Sequence, residues 1–252
     1  MPGTVTAAVR TVVLVPLFFL YSLVLASMVV VYGWINPAAP IHNRLVNHWA
    51  SVFLMLPPCR LHISGLENVD PSTRYIVASN HLSQFDIPLL FKVLPIDGRF
   101  LSKKEVFKVP IIGSAMRTIG IVEIDREGGA KSSREAINEG VKVAAERGYS
   151  FIVFPEGTRS TTSDLLPFKK GAFRIAIDTQ LPLLPVVIEG TDRISRPGSK
   201  FFYGGDVYVR ILPPIATAGM TNKDDLNPLI KTIEPDMQAV YAEMRSVGSN
   251  TG

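Results

Sequence analysis

Between Arg10 and Arg44 the chain carries no Asp, Glu, Lys or Arg. So long an uncharged apolar run must either be buried in protein or face lipid. Residues 12–33, from Val-Val-Leu-Val-Pro to Val-Val-Val-Tyr-Gly, make a helix of roughly 33 Å, enough for a hydrocarbon core of about 30 Å. Pro16 is expected to kink it, and Gly33, Pro37 and Pro40 to end it. A second apolar stretch, residues 45–56 with Trp49 and Phe53, is too short to cross, and Trp49 suits an interface. A secretory signal peptide, with an apolar core of about 7–15 residues and a small-residue cleavage site, fits this pattern less well. A single complete span would put Arg10 and the basic body on opposite sides, giving the positive-inside rule conflicting signals. A helical hairpin dipping into one leaflet keeps both on the cytosolic face and is the arrangement expected. Residues 1–58 are read as a membrane-anchoring two-helix segment and residues 59–252 as a folded domain.

In the remainder, short β-branched runs alternate with helical patterns. Residues 60–64 alternate like an edge strand. Residues 75–79 read as a buried strand, 99–101 as a short one, and 120–126 as a strand with a charged end. Residues 150–154 and 183–188 have the continuous apolar character of core strands, and 207–212 alternates. Between them lie a short helix near 111–118 and a helix capped by Ser132 or Ser133 and stopped at Gly148. The apolar stripe of that second helix is Ala136, Ile137, Val141, Ala144 and Ala145. A third helix spans 169–179, with Ala172, Phe173, Ile175, Ala176 and Ile177 facing inward. An amphipathic helix over 223–245, interrupted near Pro228 or Pro235, closes the chain. The fold class is therefore α/β: a largely parallel sheet flanked by helices, preceded by an N-terminal apolar two-helix membrane hairpin.

Ligands of such sheets bind beyond the carboxyl ends of the strands. Three polar clusters follow strands directly: His81…Asp86, Asp125-Arg126 and Glu156…Arg159. Residues five apart are about 140° out of phase on a helix. His81 can meet Asp86 only from outside the helix, with the turn folded back over its start. A carboxylate on one imidazole nitrogen fixes the tautomer and frees the other nitrogen as a base. Alone, the spacing reads as readily as a surface His and a helix-start Asp. Ser83 is expected to bond the backbone of its turn, since no nucleophile elbow surrounds it. Arg126 and Arg159 suit a phosphate, and Lys103 and Lys104 add positive charge. The net charge of +4 agrees with anionic lipid or phosphorylated partners without demanding them. Cys59 is the only cysteine, so no intrachain disulfide forms, and the four His give no metal spacing.

Four blocks carry a resemblance: Asn80-His81-x4-Asp86, Gly120…Asp125-Arg126, Phe154-Pro155-Glu156-Gly157-Thr158-Arg159-Ser160 and Leu184-Pro185-Val186-Val187-Ile188. In order and spacing they resemble those of the glycerolipid acyltransferases, most closely the bacterial lysophosphatidic acid acyltransferases, over roughly residues 60–215. The third block is the most specific. The resemblance implies transfer of a fatty acyl group from acyl-coenzyme A or acyl carrier protein to the 2-hydroxyl of lysophosphatidic acid, giving phosphatidic acid for phospholipid biosynthesis. It calls for no cofactor, no metal and no nucleic acid. It implies a membrane protein on the cytoplasmic face, in a bacterium at the inner membrane. His81 would be the base and Asp86 its orienter. Arg126 and Arg159 would hold the acceptor phosphate, with Lys103 at a basic position before Phe107 to Pro110. Glu156 and Gly157 would shape the acceptor pocket. Glu123 stands where the second block often has an aromatic or apolar residue, and the fourth block is expected to contribute packing. Glycerol 3-phosphate, another lysophospholipid or a lipid A or glycolipid precursor are rival acceptors. A thioester hydrolase and a non-catalytic lipid carrier are rival classes.

Overall fold

In the computed structural model of the chain, the residues described are 4–37, 39–125, 129–160, 162, 164–196 and 198–250. Two N-terminal helices, α1 (Thr4–Ile35) and α2 (Ile41–Leu54), precede β1 (Cys59–Ser64), β2 (Ile76–Ser79) and α3 (Asp86–Val93). There follow β3 (Gly98–Arg99), β4 (Leu101–Lys103), α4 (Lys104–Phe107), α5 (Ile112–Thr118), β5 (Val122–Ile124) and α6 (Gly129–Glu146). The chain continues through β6 (Ser150–Val153), α7 (Gly171–Thr179), β7 (Leu183–Glu189), α8 (Thr191–Ile194), β8 (Gly205–Ile211) and α9 (Leu226–Asn250).

Six strands form one sheet in the order β1-β8-β7-β2-β6-β3, parallel except where β8 runs antiparallel to β7. The central strands β2 and β7 are buried at every position, as expected of strands covered on both faces. Successive residues of β2 point to opposite faces. Val77 joins a cluster with Ala26 and Val29 of α1, Ala50 and Leu54 of α2, Leu89 of α3 and Ala115 of α5. Ile76 and Ala78 join a second cluster with Ala144 of α6, the inward side of α7, and Leu229, Ile233, Met237, Tyr241 and Met244 of α9. The N-terminal helices are thus part of one of the two helical layers. All five α7 positions expected inside are buried.

Several boundaries differ from the sequence pattern. Residues 99–101 are split between β3, at the edge of the main sheet, and β4, which pairs with β5 in a separate two-stranded sheet. The Asp125 cluster therefore follows a strand outside the main sheet. Helix α6 begins at Gly129, before the serines expected to cap it, and the Ser132 hydroxyl reaches the Asp125 carbonyl instead. Among its described side chains and glycines the buried positions are Gly140 and Ala144, while Ala145 is exposed. Helix α9 runs unbroken through Pro235 because its apolar stripe is held by the sheet, and Pro228 sits in the first turn, where a missing N–H is harmless. Helix α2 starts at Ile41, and α1 continues through Pro16.

Helix α1 lies along the flank of the domain. Near its start, Thr11 accepts a hydrogen bond from the Phe202 N–H at 2.9 Å and Arg10 donates to the Phe202 carbonyl at 2.5 Å. Near its end, Gly33 abuts Thr118 of α5. Its outer face is apolar and open, with Val12, Leu17, Leu20, Val24, Trp34 and Ile35 exposed.

Candidate active site

The parallel neighbours β6, β2 and β7 open at one edge of the sheet, and the turns that leave them meet there. The turn after β2 is fastened from both sides. On the β7 side, the Asn80 amide donates to the Ile188 carbonyl at 2.8 Å and accepts from the Ile188 N–H at 2.7 Å. On the β6 side, the His81 N–H donates to Glu156 Oε1 at 2.7 Å and the Ser160 N–H donates to the His81 carbonyl at 2.9 Å. Four hydrogen bonds thus fix the position of residue 81 before its ring makes any contact.

The ring and its acid then meet as the five-residue spacing requires. Asp86 is the first residue of α3, so His81 lies outside the helix. The carboxylate reaches back over the turn: Oδ2 lies 2.7 Å from His81 Nδ1 and accepts the N–H groups of Leu82 and Ser83 at 2.8 and 2.9 Å. Asp86 is fully buried and His81 nearly so. The imidazole stacks on Phe154, the first residue of the third block, with centroids 4.0 Å apart and planes 17° from parallel. Among the described residues Nε2 has no hydrogen-bond partner. With Nδ1 donating to the carboxylate, Nε2 is the basic nitrogen. The Ser83 hydroxyl accepts the Phe85 N–H at 3.0 Å, as a turn hydroxyl does.

Glu156 carries the largest electrostatic perturbation here. Its second oxygen accepts the Leu166 N–H at 2.8 Å, so the carboxyl braces both the turn that carries His81 and the loop that follows the third block. Burial pushes its pKa up to about 7; the two backbone N–H groups oppose the rise and the charge of Asp86 adds to it. Gly157 is exposed, beside the Lys169 ammonium.

The basic residues are distributed less tightly. Arg159 is exposed and adjoins Ser160, whose N–H is on the His81 carbonyl. Lys103 is exposed on β4, its Cα paired with that of Ile124 in the strand that leads toward Arg126. Arg126 itself lies outside the described residues. Lys104 is engaged by Asp125 at 2.7 Å. Glu123 faces outward and meets Arg117 at 3.2 Å.

Three features were not singled out by sequence patterns. Thr191, on the turn after β7, donates to Asp86 Oδ1. The rule that drew attention to three strand ends applies to this fourth one, but the apolar character of the fourth block read as packing alone. Phe154 looked like the tail of a core strand, not the floor of an imidazole. Arg99, buried at the sheet edge, donates to the Ile119 carbonyl and to Asn43 of α2 and lies over the Tyr149 ring at 3.7 Å. A lone Arg in a short strand carries no sequence signal for such a place.

The profile of the Acyltransferase family matches residues 60–189. The human 1-acyl-sn-glycerol-3-phosphate acyltransferase alpha is 31% identical over 236 residues, which cover 87% of this chain and 82% of that protein. The 1-acyl-sn-glycerol-3-phosphate acyltransferase of Saccharomyces cerevisiae is 34% identical over 184 residues, 72% of this chain and 60% of the yeast protein. Among solved structures, the 1-acyl-sn-glycerophosphate (LPA) acyltransferase PlsC of Thermotoga maritima superposes with a TM-score of 0.75 at 26% identity, covering 95% of this chain and 98% of the other.

Proposed function

Since the chain belongs to the acyltransferase family, and within it to the 1-acyl-sn-glycerol-3-phosphate acyltransferases, we propose that it acylates the 2-hydroxyl of lysophosphatidic acid from a fatty acyl thioester. The observation that carries the reading is the 2.7 Å contact between His81 Nδ1 and the buried carboxylate of Asp86. In this reading the acceptor hydroxyl gives its proton to His81 Nε2 as its oxygen attacks the thioester carbonyl. A C–O bond forms, the C–S bond breaks when the tetrahedral adduct collapses, and the imidazolium returns the proton to the departing sulfur. General base catalysis by a poised His contributes about 10² to 10⁴ in rate, and alignment of two bound substrates supplies much of the rest. Arg159, with Arg126 and Lys103, would clamp the acceptor phosphate. Glu156 and Gly157 would shape the wall beside it.

The acyl donor is acyl-coenzyme A or acyl carrier protein, both substrates, and the product phosphatidic acid feeds phospholipid synthesis. Residues 1–58 anchor the enzyme to the cytoplasmic leaflet, in a bacterium that of the inner membrane. What supports a one-leaflet anchor is that α1 touches the domain near both its ends, so it lies along the body and does not leave it.

The test is acyl transfer by detergent-solubilised protein from one long-chain acyl-coenzyme A to lysophosphatidic acid, glycerol 3-phosphate and lysophosphatidylcholine. Lysophosphatidic acid is expected to be the preferred acceptor. Replacing His81→Ala should lower kcat by at least about 10². Replacing Arg159→Ala should raise the KM for lysophosphatidic acid while largely sparing kcat. Undiminished transfer by the His81 variant would overturn the mechanism, and fatty acid release unaffected by acceptor would point to a hydrolase.

A further inference from the structure

Thr191 lies two residues beyond the stretch matched by the family profile, which ends at residue 189. Its side chain is fully buried, and its hydroxyl donates to Asp86 Oδ1 at 2.5 Å. The other carboxylate oxygen carries all three of the remaining bonds, from His81 Nδ1 and the N–H groups of Leu82 and Ser83. Among the described residues Thr191 is therefore the one donor on Oδ1. Without it a charged oxygen would sit buried with no partner, which is unfavourable in a low-dielectric interior. The carboxylate would then swing to share its three donors between two oxygens, or take up a proton. Both outcomes weaken its hold on the imidazole.

The backbone is built to deliver this hydroxyl. Gly190 has φ +95°, and a Cβ there would lie 2.4 Å from the Asp206 carbonyl oxygen, so only glycine lets β7 turn this sharply into α8. The β-branched Thr191 then holds its hydroxyl in few rotamers. We propose that Thr191 is a positioning residue for the acyl transfer: through Asp86 it keeps the His81 Nδ1–H in place and Nε2 basic. The charged group beside the pair is Glu156, which bonds the His81 N–H and feels the charge of Asp86. It is common to the variants compared below.

The inference rests on His81 being the base. A carboxylate with a weaker hold stabilises the imidazolium less and leaves Nε2 less basic, so the acid limb of the pH–kcat/KM profile moves to lower pH. Full-length detergent-solubilised enzyme would be assayed with lysophosphatidic acid and a long-chain acyl-coenzyme A. Replacing Thr191→Val should lower kcat about 10- to 100-fold with KM for both substrates little changed, and should move the acid limb to lower pH. Replacing Thr191→Ser, which keeps the hydroxyl, should restore most of kcat and the wild-type limb. If thermal melts show that the Val variant does not fold, Thr191→Ala takes its place in the same comparison. Wild-type kcat and an unmoved limb in the variant without a hydroxyl would overturn the proposal. So would a Ser variant as impaired as the Val variant, because shape would then be the cause. An active His81→Ala control would instead sink the base assignment itself, which separates the two failures.

Discussion

Glu156 is a carboxyl group with both oxygens on backbone N–H donors, yet it holds a proton to about pH 7 because burial outweighs those bonds. Its folded pKa lies above the ordinary value of 4.5, so the native state binds more protons than the unfolded chain between these limits. The stability it contributes is therefore complete below about pH 4.5 and lost as pH rises through 7. Urea melts of wild type and a Glu156→Gln variant should show the difference in unfolding free energy shrinking from about pH 5 to pH 8. A difference that stays flat would mean the carboxyl titrates where an exposed one does. His81 and Asp86 were legible in the sequence because a five-residue spacing across a strand-to-helix turn admits one useful geometry. Thr191 was not, because nothing in Glu-Gly-Thr marks a hydroxyl that meets a carboxylate 105 residues earlier in the chain.

At the scale of elements, the N-terminal helices are joined to the His81–Asp86 turn by aromatic contacts. Phe18 of α1 meets Phe53 of α2 at 5.3 Å, and Phe53 meets Phe85, the residue before Asp86, at 5.1 Å. Trp49 stacks on Phe53 and bonds Ser22 of α1 at 3.0 Å. Arg99 adds a polar tie from the sheet edge to Asn43. The far end of α1 docks through close approach, since a Cβ on Gly33 would fall 2.3 Å from Thr118 Cγ2. Replacing Gly33→Ala should cost about 1–3 kcal/mol by overpacking. Combining it with Thr118→Ser, which removes that methyl group, should recover most of the loss. A double-mutant cycle of thermal melts measures the coupling, and additive effects would show that the two residues do not meet.

For the whole molecule, the same side of α1 that leaves the sheet unassisted is the side that lipid can cover. Vesicle co-sedimentation tests this. Leu17→Glu with Leu20→Glu, both on the open face, should weaken binding to anionic vesicles without lowering the melting temperature in detergent. Because α1 touches the domain at Thr11 and again at Gly33, the N-terminus and the domain should lie on one side of the membrane. Tags at the two termini should be cleaved together by protease added to inverted vesicles. Cleavage of only one would establish a full crossing.

The uncharged N-terminal run, the strand–helix alternation and the His81–Asp86 spacing were written in local sequence, because each depends on residues within about one element of each other. Sequence order alone also brought Glu156 to the His81 turn, since their strands run parallel and end at one edge. What needed the fold were the relations between distant segments. The separation of β4 and β5 from the main sheet, the antiparallel return of β8 and the Arg99–Asn43 tie all depend on which distant surfaces pack together. The position of Thr191 under Asp86 is of the same kind: it is set by a turn at Gly190 whose direction is decided by β8, not by its own neighbours in the chain.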